Sequence, residues 1–551
     1  MEIREFPKNM ADIPVDLSHP QRVLVSGLFQ DQVTVNDEER PFLTYIPENL
    51  EYTRPCLAAA LPAGEDPAAY AEAMRLFAFA DEMRLFLLLA IAPEGWSADD
   101  AVYLNALYAR AQARDYFVVL PDNIYLAGFG DAAAAVHAAA SQCIDWSGIM
   151  TFDSPEFAEM DTEMTGQMPV WMQVTELTGK TEKILQYWRQ RNHTTEDSFY
   201  GQGSDYIWVP NPVRRQSEIN EEHAAQVRLT VSAYRPDHLD TAWTYISSFC
   251  RHRGQGGKQL RYRRDPEACG AVKRTMEVDG MTRLWYEYVP AGCTADGKWP
   301  LVLVMPGRGG SAETFFGLSD MSIVAEERKF IAVFPQAGIY QQKPGGIRNV
   351  SLWCGRHDGQ PVDDVKFIRT LIDDLAVRLP VDRTRIYACG QSSGGMMSDV
   401  LGHTAGELFA AVAAWSALRS ESILHRTFPE SECGAPLMWI FGEHDPICSF
   451  PGEDTDLPFA VNPEMKASFL EKLKHFGLDS QVRETWTSWP IDWCSFPDEA
   501  GVPLAVMGRV HNMAHANYPE LSWISYDQFL CQFRRAENGD LYYRGRRIGK
   551  H

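Results

Sequence analysis

Val381-Asp382-Arg383-Thr384-Arg385-Ile386-Tyr387-Ala388-Cys389-Gly390-Gln391-Ser392-Ser393-Gly394-Gly395-Met396-Met397 is the stretch on which the fold turns. Arg385–Cys389 has the length and apolar character of a buried strand, and Gly395-Met396-Met397 opens a helix. Between them, Gly390-Gln391-Ser392-Ser393-Gly394 fits the G-x-S-x-G pattern. A sharp strand-to-helix turn holds such a serine in a strained conformation, and side chains at Gly390 and Gly394 would clash with the turn. The turn exposes the Ser392 hydroxyl. It also carries the Ser393 N–H toward the place where a carbonyl oxygen gains charge.

Working outward, Leu301–Met305, Phe330–Phe334, Ala410–Trp415 and Leu437–Phe441 are further apolar runs of strand length. Helical stretches lie between them. Asp363–Arg378 sets Val365, Ile368, Leu371, Ile372 and Leu375 on one face, and Pro380 stops it. Strands apolar throughout, alternating with helices, predict a mostly parallel sheet covered on both faces.

A hydroxyl near its free pKa is a weak nucleophile, so Ser392 needs a base and a group to orient that base. In an α/β-hydrolase these follow in the order Ser, Asp or Glu, His. Asp445 ends the strand and turn Ile440-Phe441-Gly442-Glu443-His444-Asp445 and is the expected acid, with Glu443 and Asp454 as weaker alternatives. His515, in a loop before a final amphipathic helix, is the expected base, and His511 is its rival. Pro306-Gly307-Arg308-Gly309-Gly310 follows an early strand. Its glycines let backbone approach a substrate, so the Arg308 N–H is expected to complete an oxyanion hole with that of Ser393. Gln391, beside the serine, is a candidate for the substrate cleft.

With these motifs in place, the second half resembles the polyhydroxybutyrate depolymerase and feruloyl esterase group of α/β-hydrolases, from about Arg274 to Arg535. The resemblance implies a Ser392–His515–Asp445 triad, acyl transfer through Ser392, and no metal or organic cofactor. It implies a serine carboxylic ester hydrolase acting on small or oligomeric esters, such as feruloyl or acetyl sugar esters or hydroxyalkanoate-type esters. Trp353 matches an aromatic that often flanks the cleft in that group; a core tryptophan is the other reading. Pro306-Gly307 departs from the group's usual His-Gly. The long Asp445–His515 segment carries Trp486, Trp489, Trp493 and Phe496, read as a lid, a cleft wall or a satellite core. Two other functions share these features. One is a serine peptidase of the prolyl-oligopeptidase type, although no propeller repeat is visible. The other is a non-catalytic binding scaffold.

The chain also repeats itself. Phe42–Pro47 echoes Leu284–Pro290, and Arg54–Pro62 echoes Trp299–Pro306. Ile124–Asp131 echoes Ile386–Ser393, Pro169–Met172 echoes Pro436–Trp439, and Trp243 with Phe249 echoes Trp523 with Phe529. Leu260-Arg261-Tyr262 resembles Leu541-Tyr542-Tyr543, and the offset grows from 243 at Pro47 to 281 at Tyr262, as loop insertions would cause. The expected architecture is two tandem α/β-hydrolase-like domains, 1–262 and 263–551, each a mostly parallel sheet flanked by helices. Arg253-Gly254-Gln255-Gly256-Gly257 reads as a turn or short linker before the join. In the first copy Gly130, Thr178 and Arg235 stand where Ser392, Asp445 and His515 stand in the second. That copy is therefore expected to lack the chemistry and to support folding, form a homodimer or shape the active-site mouth.

The 551 residues suffice for two or three domains, and a formal net charge of −23 argues against nucleic acid and anionic membranes as partners. Phe86–Ala92 is far short of the ~20 residues of a membrane span and reads as a buried strand. No basic, apolar secretory start is visible, and 11 cysteines without a C-x-x-C pair suggest free thiols. A cytoplasmic location follows as an expectation.

Overall fold

The computed structural model describes all residues except 9–12, 98, 114–118, 120, 154–159, 165, 197–198, 201–204, 210–224, 255–256, 341–349, 358 and 518–519. Two large sheets dominate it. The first runs in the order Ile3–Glu5, Gly27–Val35, Glu38–Ile46, Phe86–Ala90, Cys56–Ala60, Ile124–Phe129, Ile149–Phe152, Val170–Val174, Val227–Val231, Asp205–Trp208, Phe199–Tyr200. The second runs Val272–Val278, Met281–Tyr288, Ile331–Pro335, Trp299–Met305, Val381–Gln391, Ala411–Trp415, Leu437–Gly442, Pro503–Val510, Ile491–Pro497, Glu484–Ser488.

Apart from the edge strand Ile3–Glu5, the two orders match strand for strand. So does every sense of pairing: antiparallel at both edges and parallel through the centre. The central strands are buried along their lengths, as their unbroken apolar sequences require, because helices cover both faces. The helix Asp364–Arg378 packs Phe367, Ile368, Leu371, Ile372 and Leu375 into the core, and the Asp363 side chain caps it by accepting from the Lys366 N–H at 2.9 Å.

The repeat extends to single hydrogen bonds. Tyr125 Oη donates to the Phe249 carbonyl at 2.5 Å, and Tyr387 Oη donates to the Phe533 carbonyl at 2.8 Å. Buried Arg251 donates to the carbonyls of Trp146 and Gln167, which precede two neighbouring strands. Buried Arg535 does the same with Phe409 and Gly434. Each arginine sits on a strand that follows the last helix of its half, where it ties loose strand entrances together. The partner of Phe249 is therefore Phe533 rather than Phe529, because both begin the strand after that helix. Of the two readings of the glycine-rich stretch the turn fits and the linker does not: Phe249–Gly254 pairs with Gly257–Tyr262 in a hairpin, while Gln255 and Gly256 lie outside the described residues.

The aromatic segment before His515 is no lid either. Glu484–Ser488 and Ile491–Pro497 are antiparallel edge strands of the second sheet. Trp493 and Phe496 are buried in the core, and Trp486 lies on the outer strand stacked on Trp493 at 6.0 Å. Among the described residues no helix is long and apolar enough to cross a membrane, and no two cysteines form a disulfide.

Candidate active site

The site is built at the carboxyl ends of the central strands of the second sheet, where open α/β sheets place their ligands. Val381–Gln391 ends and the helix Ser393–Thr404 begins with a single residue, Ser392, between them. Its φ of 55° and ψ of −119° are strained for a residue with a side chain. Crowding enforces the turn: a Cβ on Gly390 would come within 2.5 Å of the Met305 carbonyl oxygen, and one on Gly394 would strike the same atom.

His515 Nε2 lies 2.9 Å from Ser392 Oγ, and His515 Nδ1 lies 3.0 and 2.9 Å from the two carboxylate oxygens of Asp445. An ionised carboxylate only accepts, so Nδ1 carries the ring proton and Nε2 is left to accept from the serine hydroxyl. Asp445 is fully buried. Its Oδ1 also accepts from the backbone N–H groups of Ile447 at 2.9 Å and Cys448 at 3.2 Å, which fixes its orientation. Burial pushes the neighbouring Cys448 thiol far up, keeping it neutral beside that carboxylate.

The rivals are occupied elsewhere. His511 contacts Glu443 at 3.3 Å and Asp492 at 3.0 Å and stacks on Trp489, while Asp454 pairs with Lys466 at 2.8 Å. In the first half Gly130 keeps the bend, with φ of 57° against 55° at Ser392, and its N–H bonds Phe152 as that of Ser392 bonds Trp415. Thr178 caps a helix there, and Arg235 precedes another and pairs with Asp237.

A pocket of about 350 Å³ opens beside Ser392, lined by Gly307, Arg308, Gln391, His515 and Asn517 among others. Gln391 reaches it, with Nε2 3.5 Å from His515 Nε2. Arg308 lies in the loop that forms its rim, and Ser393 opens a helix, where the first N–H groups lack intrahelical acceptors. Trp353 is not a cleft residue. It is 1% exposed, and its indole N–H donates to the Pro306 carbonyl at 3.0 Å, supporting that loop from below. Sequence reasoning missed Asp122, a first-half residue that lines the same pocket. Its sequence context carries no signal of that role, since in the repeat Asp122 falls on Thr384 rather than on Asp382.

Strand order, elbow and side-chain geometry define the second half as an α/β-hydrolase. No family profile matches the chain. It is 29% identical over 269 residues to the esterase NocK of Nocardia uniformis subsp. tsuyamanensis, covering 45% of this chain and 75% of that protein. It is 28% identical over 156 residues to feruloyl esterase B of Neurospora crassa, covering 27% of this chain and 48% of that protein. The chain thus spans about half the length of this feruloyl esterase. Among solved structures, acetyl xylan esterase from Aspergillus awamori aligns with a TM-score of 0.33 and 14% identity, over 46% of this chain and 98% of that one. At this level of identity the chain is similar to esterases, a feruloyl esterase among them.

Proposed function

We propose that this protein is a serine carboxylic ester hydrolase acting on small or oligomeric esters, with residues 263–551 as its catalytic domain and 1–262 as a degenerate copy. The observation that carries this reading is the Ser392–His515–Asp445 chain of contacts at 2.9 to 3.0 Å. Ser392 Oγ attacks the ester carbonyl while His515 Nε2 takes its proton. The N–H groups of Arg308 and Ser393 receive the oxyanion, each such donor contributing about 2.7–4 kcal/mol in comparable sites. The imidazolium, held by Asp445, then protonates the departing alkoxide. Water enters and attacks the acyl carbon as His515 takes its proton, and His515 returns that proton to Ser392 Oγ as the acyl group leaves as a carboxylic acid. Feruloyl esters suit the relatives named feruloyl esterase, and feruloyl esters of sugars are the substrates to try first.

The test pairs a fluorophosphonate probe with p-nitrophenyl acetate, methyl ferulate and a peptide amide. The protein is expected to take the probe and cleave the esters, and Ser392→Ala to do neither. Ester turnover surviving in Ser392→Ala would move the chemistry to another residue. Faster amide than ester cleavage would make it a peptidase.

A further inference from the structure

The pocket at Ser392 is not walled by the second half alone. Asp122, in the short turn Pro121–Asn123 of the first half, lines it together with Thr314, Phe315 and Leu318 of the helix Ala312–Leu318. A second, narrow crevice, about 30 Å³ against about 350 Å³ for the pocket, shares Asp122, Thr314 and Leu318 with it and leads along the seam past Asn123, Tyr262 and Arg263. We propose that this seam is the subsite for a neutral, hydroxyl-rich leaving group, so that the degenerate half recognises the sugar-like part of the substrate. The proposal rests on the ester hydrolase reading and adds where the alcohol lies.

Three observations support it. Asn123 is 6% exposed, and its amide oxygen accepts no hydrogen bond among the described residues, a deficit that a ligand hydroxyl satisfies. Tyr262 is 46% exposed and is backed by Phe249 at 4.8 Å, which presents a ring held from behind to the C–H face of a pyranose. The charges along the crevice are of both signs: Asp122 lies on one side, and Arg263 lies 3.7 Å from Glu313 and 3.9 Å from Asp265. A carboxylate, an amide and a guanidinium are planar groups that bond adjacent hydroxyls in pairs, and their mixed sign favours a neutral ligand over an ion. The acyl group is left to the part of the pocket beside Phe315.

The experiment compares a feruloyl disaccharide with methyl ferulate, which share an acyl group and differ only in the alcohol. In Tyr262→Ala and Asn123→Ala the ratio of kcat/KM for the two is expected to fall about tenfold, the size of one lost hydrogen bond or stacking contact. Tyr262→Trp, which keeps a stacking ring, is expected to restore it. An unchanged ratio in both alanine variants overturns the proposal. Calorimetry of the parent disaccharide on the Ser392→Ala protein gives a second readout, free of turnover. Binding weakened by Tyr262→Ala supports the subsite, and no binding overturns it. If wild-type protein cleaves neither ester yet binds the disaccharide, the hydrolase reading fails while the subsite stands.

Discussion

At the scale of single residues, Asp445 is the sharpest test. Its Oδ1 holds the Ile447 and Cys448 N–H groups as well as facing His515. In Asp445→Asn the amide oxygen keeps those two bonds, so the NH₂ must face His515 Nδ1. Two donors cannot share that contact. The imidazole proton moves to Nε2 and points at Ser392, where an acceptor is needed. We expect kcat to fall about 10⁴-fold with little change in KM or in stability. A loss under tenfold would show that Asp445 does not set the tautomer. The same residues show what a sequence reveals. Ser392 was legible because its turn demands glycines on both sides, and Asp445 and His515 because their chain order follows from the fold. Trp353 stood between cleft and core in the sequence, because residue type does not say which way a ring faces, and the structure puts it in the core.

At the scale of elements, strands and helices were legible wherever burial on both faces left an unbroken or 3.6-periodic apolar pattern. The edge strands Glu484–Ser488 and Ile491–Pro497 were not, since an edge strand mixes exposed and buried aromatics as a lid does. The helices after the two elbows carry a contrast that sequence alone left unread. Ser393–Thr404 buries Asp399, whose Oδ2 accepts from the Arg419 N–H at 3.0 Å. At the matching place, Ala132–Gln142 buries His137. Trp188 Nε1 donates to His137 Nδ1 at 3.0 Å, so Nε2 carries the proton and donates to Thr151 Oγ1 at 3.1 Å. The ring is neutral, and burial lowers its pKa from 6.5 to about 3. Between those two values the unfolded chain binds a proton that the folded one does not, so stability falls as pH falls. The expected slope is about 1.4 kcal/mol per pH unit from this group. His137→Gln, which can accept from Trp188 and donate to Thr151 without titrating, should remove that slope. Urea unfolding between about pH 7 and pH 4 measures it, and equal slopes in the two proteins would refute the assignment.

At the scale of the whole molecule, the repeat was legible but the docking of its copies was not, because no periodicity encodes which loop of one half meets which helix of the other. The seam is ionic. Arg54 reaches from the first half to Glu313 at 3.0 Å and to Glu51 at 2.7 Å, Lys273 joins Glu51 at 2.9 Å, and Arg261 joins Asp320 at 2.7 Å. Glu313 belongs to the helix Ala312–Leu318, whose cap Ser311 directly follows Gly307–Gly310 and whose Thr314, Phe315 and Leu318 wall the pocket. The first half thus grips the element that carries the Arg308 loop.

Arg54 tests that grip. Burial pushes the Glu313 carboxyl above its usual range even though Arg54 and Arg263 pull it down, so it depends on its cations. Arg54→Met leaves Glu313 and Glu51 facing each other with only Arg263 and Lys273 to compensate, a loss of about 3 kcal/mol for a largely buried charge stripped of its partner. The destabilisation should shrink as pH is lowered, because a carboxyl raised in the folded state takes up its proton first there and ceases to need a counter-ion. Adding Glu313→Gln to Arg54→Met should recover most of the stability, and a cycle of the two changes measures their coupling. If the helix also positions the Arg308 loop, kcat on methyl ferulate falls in Arg54→Met and returns in the double variant while KM moves little. Stability restored without any return of kcat would leave the seam as a structural joint only.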